Sequence, residues 1–319
     1  MGKTKRNAPK RAASSESRYS FMEFNAEFPD DATCLDWLVG HRYPDGIYCP
    51  KCERITKHHR VKSRPAYSCQ FCGHYEYPMR GTIFQDSSTS LRLWFHAMYL
   101  MASTRCGISA KQLEREVGVS YPTALRMFRQ IRSMLGQDPD GPFSGTVEMD
   151  GAYIGGRGQW RHGQQRKGAP AAADPHKTHV FGIVQRGRHG EHGKVHAKIE
   201  PKPGRNLRKN VYGKVVPGST VHTDEWRAFD TLNEMYAHGA VDHSKKVYVS
   251  GDVHVQTIEG FWSLVKRGIS GVYHGVSPEH LQSYLDEFVF RYNNRGVTGR
   301  RGMFDAFLSR IVKAVPASE

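Results

Sequence analysis

The chain has 319 residues, with 46 Lys+Arg against 31 Asp+Glu and a formal net charge of +15. Its hydrophobic fraction is 38%, or about 48% with glycine added, which excludes wholesale disorder and predicts two or three folded domains. No run approaches about 18 apolar residues and the basic N-terminus has no apolar stretch, so neither a membrane span nor a secretory signal is expected.

The excess charge is unevenly placed. Residues 1–20 net +5, 21–150 net zero, 151–219 net +11 and 220–319 net −1. A balance this basic points to a polyanion, most simply nucleic acid. Six Cys are too few for a disulfide scaffold and place the chain in a reducing cytoplasm.

Residues 1–20 are rich in Lys, Arg, Ala and Ser without periodicity and read as a disordered basic arm. In 21–45, apolar spacing at Phe28, Leu35 and Leu38 predicts a short amphipathic helix around Cys34–Leu38. Tyr48 to Tyr77 reads as short aromatic strands broken by turns. Residues 90–137 read as three helices, over Leu91–Thr104, Ser109–Val117 and Ser120–Leu135. The Pro/Gly/Asp stretch 137–142 then marks a boundary. Beyond it, β-branched runs predict strands at Thr146–Asp150, His179–Gln185, Lys194–Ile199 and Ser219–Thr223. Helices are predicted at Asn206–Val215, Ile258–Lys266 and Pro278–Tyr292. The division is therefore 1–20 arm, 21–85 domain of short strands, 86–140 helical region and 141–319 α/β domain.

Cys49-Pro50-Lys51-Cys52 is followed after 16 residues by Cys69-Gln70-Phe71-Cys72. Each Cys-x2-Cys sets two thiolates on one tight turn, and two such turns complete a closed tetrahedral site. Cys49, Cys52, Cys69 and Cys72 are thus expected to hold a structural Zn²⁺. Cys34 and Cys106 fall outside the pattern as core thiols, and His58, His59 and His74 as bystanders.

Residues 108–124 have the cadence of helix, Gly118 turn and second helix, with Ser120 as N-cap and Pro122 in the first turn. This is a helix-turn-helix-like pattern. Arg126, Arg129 and Arg132 recur every three residues and are expected on a polar face toward DNA.

Three carboxylates stand at element ends. Asp150 closes one predicted strand, Asp224 closes another, and Glu259 opens a helix; the gaps are 73 and 34 residues. If they converge at one sheet edge, their oxygens suit Mg²⁺ or Mn²⁺ and phosphodiester chemistry. Lys266 follows Glu259 by two helical turns, so both share a face. Glu148, two residues before Asp150 on a strand, faces the same side. Trp262, one turn from Glu259, reads as a packing residue.

These segments resemble a known family. Glu148-Met149-Asp150-Gly151-Ala152-Tyr153-Ile154-Gly155-Gly156, Thr223-Asp224-Glu225 and Thr257-Ile258-Glu259-Gly260-Phe261-Trp262-Ser263-Leu264-Val265-Lys266-Arg267 are similar to the IS1595-group, ISXO2-like transposases. So are Gly271-Val272-Tyr273-His274, residues 284–293 and the cysteine pairs, a likeness covering about residues 25–310. The resemblance implies an RNase H-like catalytic core, a mixed sheet flanked by helices, with an Asp-Asp-Glu metal triad. Carried onto this sequence, the triad is Asp150, Asp224 and Glu259 with Lys266 as companion, and Glu148 and Glu225 are supporting neighbours. It implies cleavage at the inverted repeats bounding a bacterial insertion sequence and transfer to target DNA. It also implies a nucleoid-associated protein, at least dimeric when two ends are synapsed.

Two other classes fit parts of the sequence: a zinc-ribbon, helix-turn-helix regulator with a degenerate core, and a standalone nuclease. The intact carboxylates oppose the first and the separate DNA-binding modules oppose the second. Within the +11 segment, Arg157, Arg161, Arg166 and Lys167 lie just after Asp150. They are expected to carry the bulk electrostatic grip on DNA.

Overall fold

The structure, a computed structural model, describes residues 19–136, 141–155, 177–187, 192–200, 211–224, 232, 235–241, 249, 251–297 and 299–311. The chain divides into two compact units. The first runs through Ser103 and takes in the segment from Gly296; the second spans Thr104–Arg295. The division falls inside the helical region read from the sequence: its first helix belongs to one unit and the next two to the other. The arm through Arg18, the Arg157–Lys167 cluster, Glu225 and residues 206–210 of the expected 206–215 helix lie outside the described residues; its remaining half, 211–215, closes a turn with a Tyr212–Val215 bridge instead of continuing a helix.

In the first unit, α1 (Phe21–Glu27) begins at a Ser20/Glu23 capping box. Asp30 caps α2 (Asp31–Arg42) through the Thr33 amide. Two small antiparallel sheets follow, one of β1 (Tyr48–Cys49) and β2 (Arg54–Ile55). The other holds β3 (His58–Arg60), β4 (Tyr67–Cys69) and β5 (Tyr75–Glu76). These strands are too short to bury a core of their own. The unit's apolar core is aromatic instead. Phe24 and Phe28 of the first helix and its cap pack against Tyr99 and Phe95 of α3 (Leu91–Ser103). The sequence reading has no counterpart for the C-terminal helix that joins them. It places Phe304 against Tyr99 and Phe28. Arg301 ties it to α1 through an ion pair with Glu27.

The second unit begins with α4 (Ala110–Val117) and α5 (Tyr121–Ser133). The turn between them needs Gly118, whose φ of +74° is a left-handed conformation that side chains resist. A five-stranded sheet forms the centre. It contains β6 (Thr146–Ile154), β7 (Thr178–Gln185), β8 (Val195–Ile199), β9 (Thr220–Asp224) and β10 (Ala237–Val241). Their order is β10-β9-β6-β7-β8, with β6, β9 and β10 parallel and β7 antiparallel to both its neighbours. The sheet is mixed, as expected. The additional strand is β10, whose Ala-His-Gly-Ala-Val sequence carries no β-branched run to announce it.

Two helices cover one face: α6 (Gln256–Gly268), continued by a π-turn at Ile269–Tyr273, and α7 (Pro278–Asn293). Their apolar residues Ile258, Phe261, Trp262, Leu281, Leu285 and Phe288 meet Val180, Val184, Val195 and Ala197 of the sheet. The opposite face buries Val147, Met149, Phe181, Ile183 and Val221 in a second cluster. The C-terminal helix of the chain is α8 (Met303–Ile311).

Candidate active site

The parallel register of β6 and β9 pairs Glu148 with His222 and Met149 with Thr223. One step further along both strands stand Asp150 and Asp224. They sit side by side because neighbours in a parallel ladder share a face. Asp150 also pairs with Gly182 across β7. That glycine lets α6 approach. A Cβ at 182 would come within 2.5 Å of the Trp262 ring and 3.1 Å of Ile258. The bare backbone there seats the helix directly over the aspartate rung. Trp262 is accordingly 2% exposed, a packing residue as its spacing implies.

An open cleft of about 550 Å³ lies at this place, lined by Asp150, Glu259, Lys266, Arg267, Trp262 and Ser270 among others. Three of the four expected residues, Asp150, Glu259 and Lys266, therefore meet in one cleft. Asp224 does not line it but stands on the adjacent strand, near enough to act on Asp150. Burial, then the Asp224 and Glu259 carboxylates, push Asp150 up to about 7 against the opposing Gly151 amide and Lys266. Among the described residues these carboxylates are less tightly gathered than the cysteine thiols. The donor set is all oxygen and the crowding of negative charge favours cations, so the residues fit Mg²⁺ or Mn²⁺.

A pH dependence follows. Asp150 ordinarily titrates near 3.8, and here near 7. Without cations the folded state keeps a proton that the unfolded chain releases, so stability falls as pH rises across that interval. Cation binding needs the ionised form, so affinity moves the other way. Mn²⁺ affinity measured by calorimetry is expected to rise about tenfold between about pH 5 and 6 and to flatten above about pH 7.

Arg126 and Arg129 are exposed on α5, with Arg129 Nη2 3.5 Å from His280. Arg132 is a correction to the sequence reading. It is 2% exposed, and its Nε donates to Glu287 Oε2 at 2.7 Å. Its guanidinium lies 3.4 Å from the Tyr284 ring centre and 3.8 Å from that of Phe128. Facing the protein interior, it is not available to DNA.

In the first unit, the ligand atoms of Cys49, Cys52, Cys69 and Cys72 all lie within 4.8 Å of one another. Sulfur separations of 3.5 Å for Cys49–Cys72 and 3.9 Å for Cys52–Cys69 are far beyond a disulfide. They match the roughly 3.8 Å edge of a tetrahedron with Zn–S near 2.3 Å. The Thr56 hydroxyl and knuckle amides hold the Cys69 thiol down to about 5. Hydrogen bonding with Cys72 and other thiols pushes Cys52 up to about 12. Four thiols at these separations would bind a cation as thiolates, releasing protons as they do so. No histidine of the described residues joins the cluster.

The ISXO2-like transposase domain model matches residues 142–293, and the transposase zinc-ribbon domain model matches residues 29–75. An uncharacterized protein in transposable element ISH50 of Halobacterium salinarum is 32% identical over 276 residues, covering 83% of this chain and 91% of its own. The chain belongs to the ISXO2-like transposase family. A second relative, an uncharacterized transposase-like protein of Haemophilus influenzae, is 33% identical over 103 residues, 32% of this chain and 82% of its own. The transposase domain match contains Asp150, Asp224, Glu259 and Lys266, and the ribbon match contains all four cysteines. None of the described helices is long and apolar enough to cross a membrane.

The sequence reading missed most of what surrounds the carboxylates. Glu148 is fully buried. It accepts from the Thr257 amide at 2.8 Å, the Thr257 hydroxyl at 2.8 Å and the Ile258 amide at 3.0 Å. Arg186 Nε donates to it at 2.6 Å. His222 receives Arg186 Nη2 on Nδ1 at 2.9 Å, and burial with the Arg186 charge lowers its pKa and keeps it neutral. The sequence reading placed Glu148 beside Asp150 as a supporting neighbour but not its partners, and Arg186 and His222 carried no signal.

Proposed function

We propose that the protein is the DNA transposase of an insertion sequence, binding the element's terminal inverted repeats and carrying out strand cleavage and strand transfer. The observation that carries this reading is the aspartate rung of β6 and β9 beneath the helix bearing Glu259 and Lys266. The sheet order and its mixed directions support an RNase H-like core. Asp150, Asp224 and Glu259 would hold Mg²⁺ or Mn²⁺. A bound pair of such ions supplies Lewis-acid help to attacking and leaving oxygens. Lys266 and Arg267 at the cleft offer fixed positive charge to a DNA phosphate. Scission by water leaves a 3′-hydroxyl, and attack of that hydroxyl on target DNA forms one P–O bond for each one broken. No nucleotide hydrolysis is needed to drive it.

DNA recognition is assigned to three places. The ribbon segment 46–80 carries seven Lys/Arg against two Glu, whereas 21–45 carries one against six acids. The apparent neutrality of the N-terminal region is thus a cancellation, and the ribbon itself is basic. Exposed Phe71 and Tyr75 lie beneath Arg54 and Arg64, at 5.0 and 5.2 Å. The α4–α5 pair, read as helix-turn-helix-like, offers Arg126 and Arg129. The segment with Arg157, Arg161, Arg166 and Lys167 adds sequence-independent attraction. Holding two ends together calls for at least a dimer on DNA.

The test is direct. Purified protein with Mg²⁺ or Mn²⁺ is expected to cut a labelled duplex at the inverted-repeat terminus and join the freed 3′-end to a second duplex. Repeat-specific binding with no cutting in either metal would favour a regulator.

A further inference from the structure

The rung beneath the two aspartates is built as deliberately as the one above it. Glu148 and His222 are partners on β6 and β9, each two residues before an aspartate and on the same face. Arg186 bridges them, with Nε on Glu148 at 2.6 Å and Nη2 on His222 at 2.9 Å. The same guanidinium reaches the carbonyls of Asp252 at 3.2 Å and His254 at 2.9 Å, in the chain leading into α6.

Helix α6 has no cap of its own. Its N-cap residue is Val255, with no side-chain cap bond. A helix start leaves several amides without partners and a partial positive charge. Glu148 supplies what is missing from another element, taking the Thr257 and Ile258 amides on one carboxylate oxygen. The next residue is Glu259, whose own amide bonds to Val255 O at 3.1 Å. One carboxylate therefore joins the strand of Asp150 to the turn that carries Glu259. Its full burial and its pairing with Arg186 leave it little freedom to move.

We infer that Glu148, with Arg186 and His222, is a positioning device that fixes Glu259 relative to Asp150 and Asp224. This rests on the reading of those three carboxylates as the metal ligands. Glu148 touches no reacting atom; it acts through the helix. Supporting groups of this kind change metal affinity by about 10–100-fold when altered.

The experiment measures Mn²⁺ binding alone, by calorimetry or electron paramagnetic resonance, on the full-length protein. Glu148→Gln can keep the one oxygen that takes both helix amides but replaces the oxygen that accepts from Arg186 with a donor and removes the charge facing it. It is expected to lower Mn²⁺ affinity tenfold or more, and to raise by a similar factor the Mn²⁺ concentration for half-maximal DNA cutting. A purely structural role would lower the melting temperature while folded protein bound Mn²⁺ as the parent does, and that result overturns the inference. If Glu148→Gln does not fold, Arg186→Lys takes its place. It keeps a positive charge near Glu148 but cannot span His222 and both carbonyls, and a loss of affinity of threefold or more is expected. Parent-like affinity in folded Arg186→Lys also overturns it. Asp150→Asn separates the two claims: it should abolish Mn²⁺ binding whatever Glu148 does. Parent-like binding in that variant would instead remove the metal site itself, and the positioning role with it.

Discussion

Glu287→Ala is expected to destabilise the second unit by about 3–5 kcal/mol, a fall in melting temperature of roughly 10 °C. Glu287 is 1% exposed and sits between two guanidiniums, Arg132 Nε at 2.7 Å and Arg291 Nη2 at 2.7 Å. Burial opposes its ionisation, yet Arg132 and then Arg291 outweigh burial and hold its carboxyl below the ordinary range. Removing the carboxylate would strand two buried cations, one of them enclosed by Phe128, Tyr273 and Tyr284. Calorimetric melting checks this. Glu287→Leu combined with Arg132→Met should lose less than Glu287→Ala alone, because the worst desolvated charge goes with its partner. Equal melting of Glu287→Ala and parent would mean the triad is stabilised elsewhere.

Cys49→Ser is expected to have an effect at least as large, confined to the first unit. The ribbon strands are two or three residues long. Most of what holds such strands is the metal, whose binding in small zinc domains contributes about 10–16 kcal/mol. Losing one of four thiolates should take bound zinc from about one per chain to near zero. It should also open residues 46–80 to proteolysis and weaken binding to inverted-repeat DNA, while the melting of the second unit stays put. Elemental analysis of the purified variant reads the first of these, and retained stoichiometric zinc would refute the site.

The legible parts of the fold were those with local signals. The two Cys-x2-Cys turns, Gly118 at a left-handed turn and the apolar spacing of α3 to α7 each announce themselves within a few residues. Asp150, Asp224 and Glu259 stood at predicted element ends, and only a family resemblance singled them out from other acids. What stayed hidden was nonlocal. Arg126, Arg129 and Arg132 look like one face at three-residue spacing. At about 100° per residue, however, the third lies some 120° around the helix from the first. It falls on the buried Ala124–Phe128 row at four-residue spacing, and the Glu287 that satisfies it is 155 residues away. Glu148 was legible as a neighbour of Asp150, but its helix partners, 109 and 110 residues distant, were not. The last helix shows no local link to the first unit. Its place there rests on Arg301–Glu27 and on Phe304 among the rings of α1 and α3.

The central claim is that one carboxylate cluster does the DNA chemistry and is separable from DNA binding. Single-turnover cutting of a duplex bearing the inverted repeat, by parent and Asp150→Asn at matched DNA occupancy, tests it most directly. The account predicts equal Kd for the DNA and a rate for Asp150→Asn lower by about 10³-fold or more, since loss of an ion-holding carboxylate removes several kcal/mol of charge stabilisation in the transition state. Asp150→Asn cutting at the parental rate would contradict it.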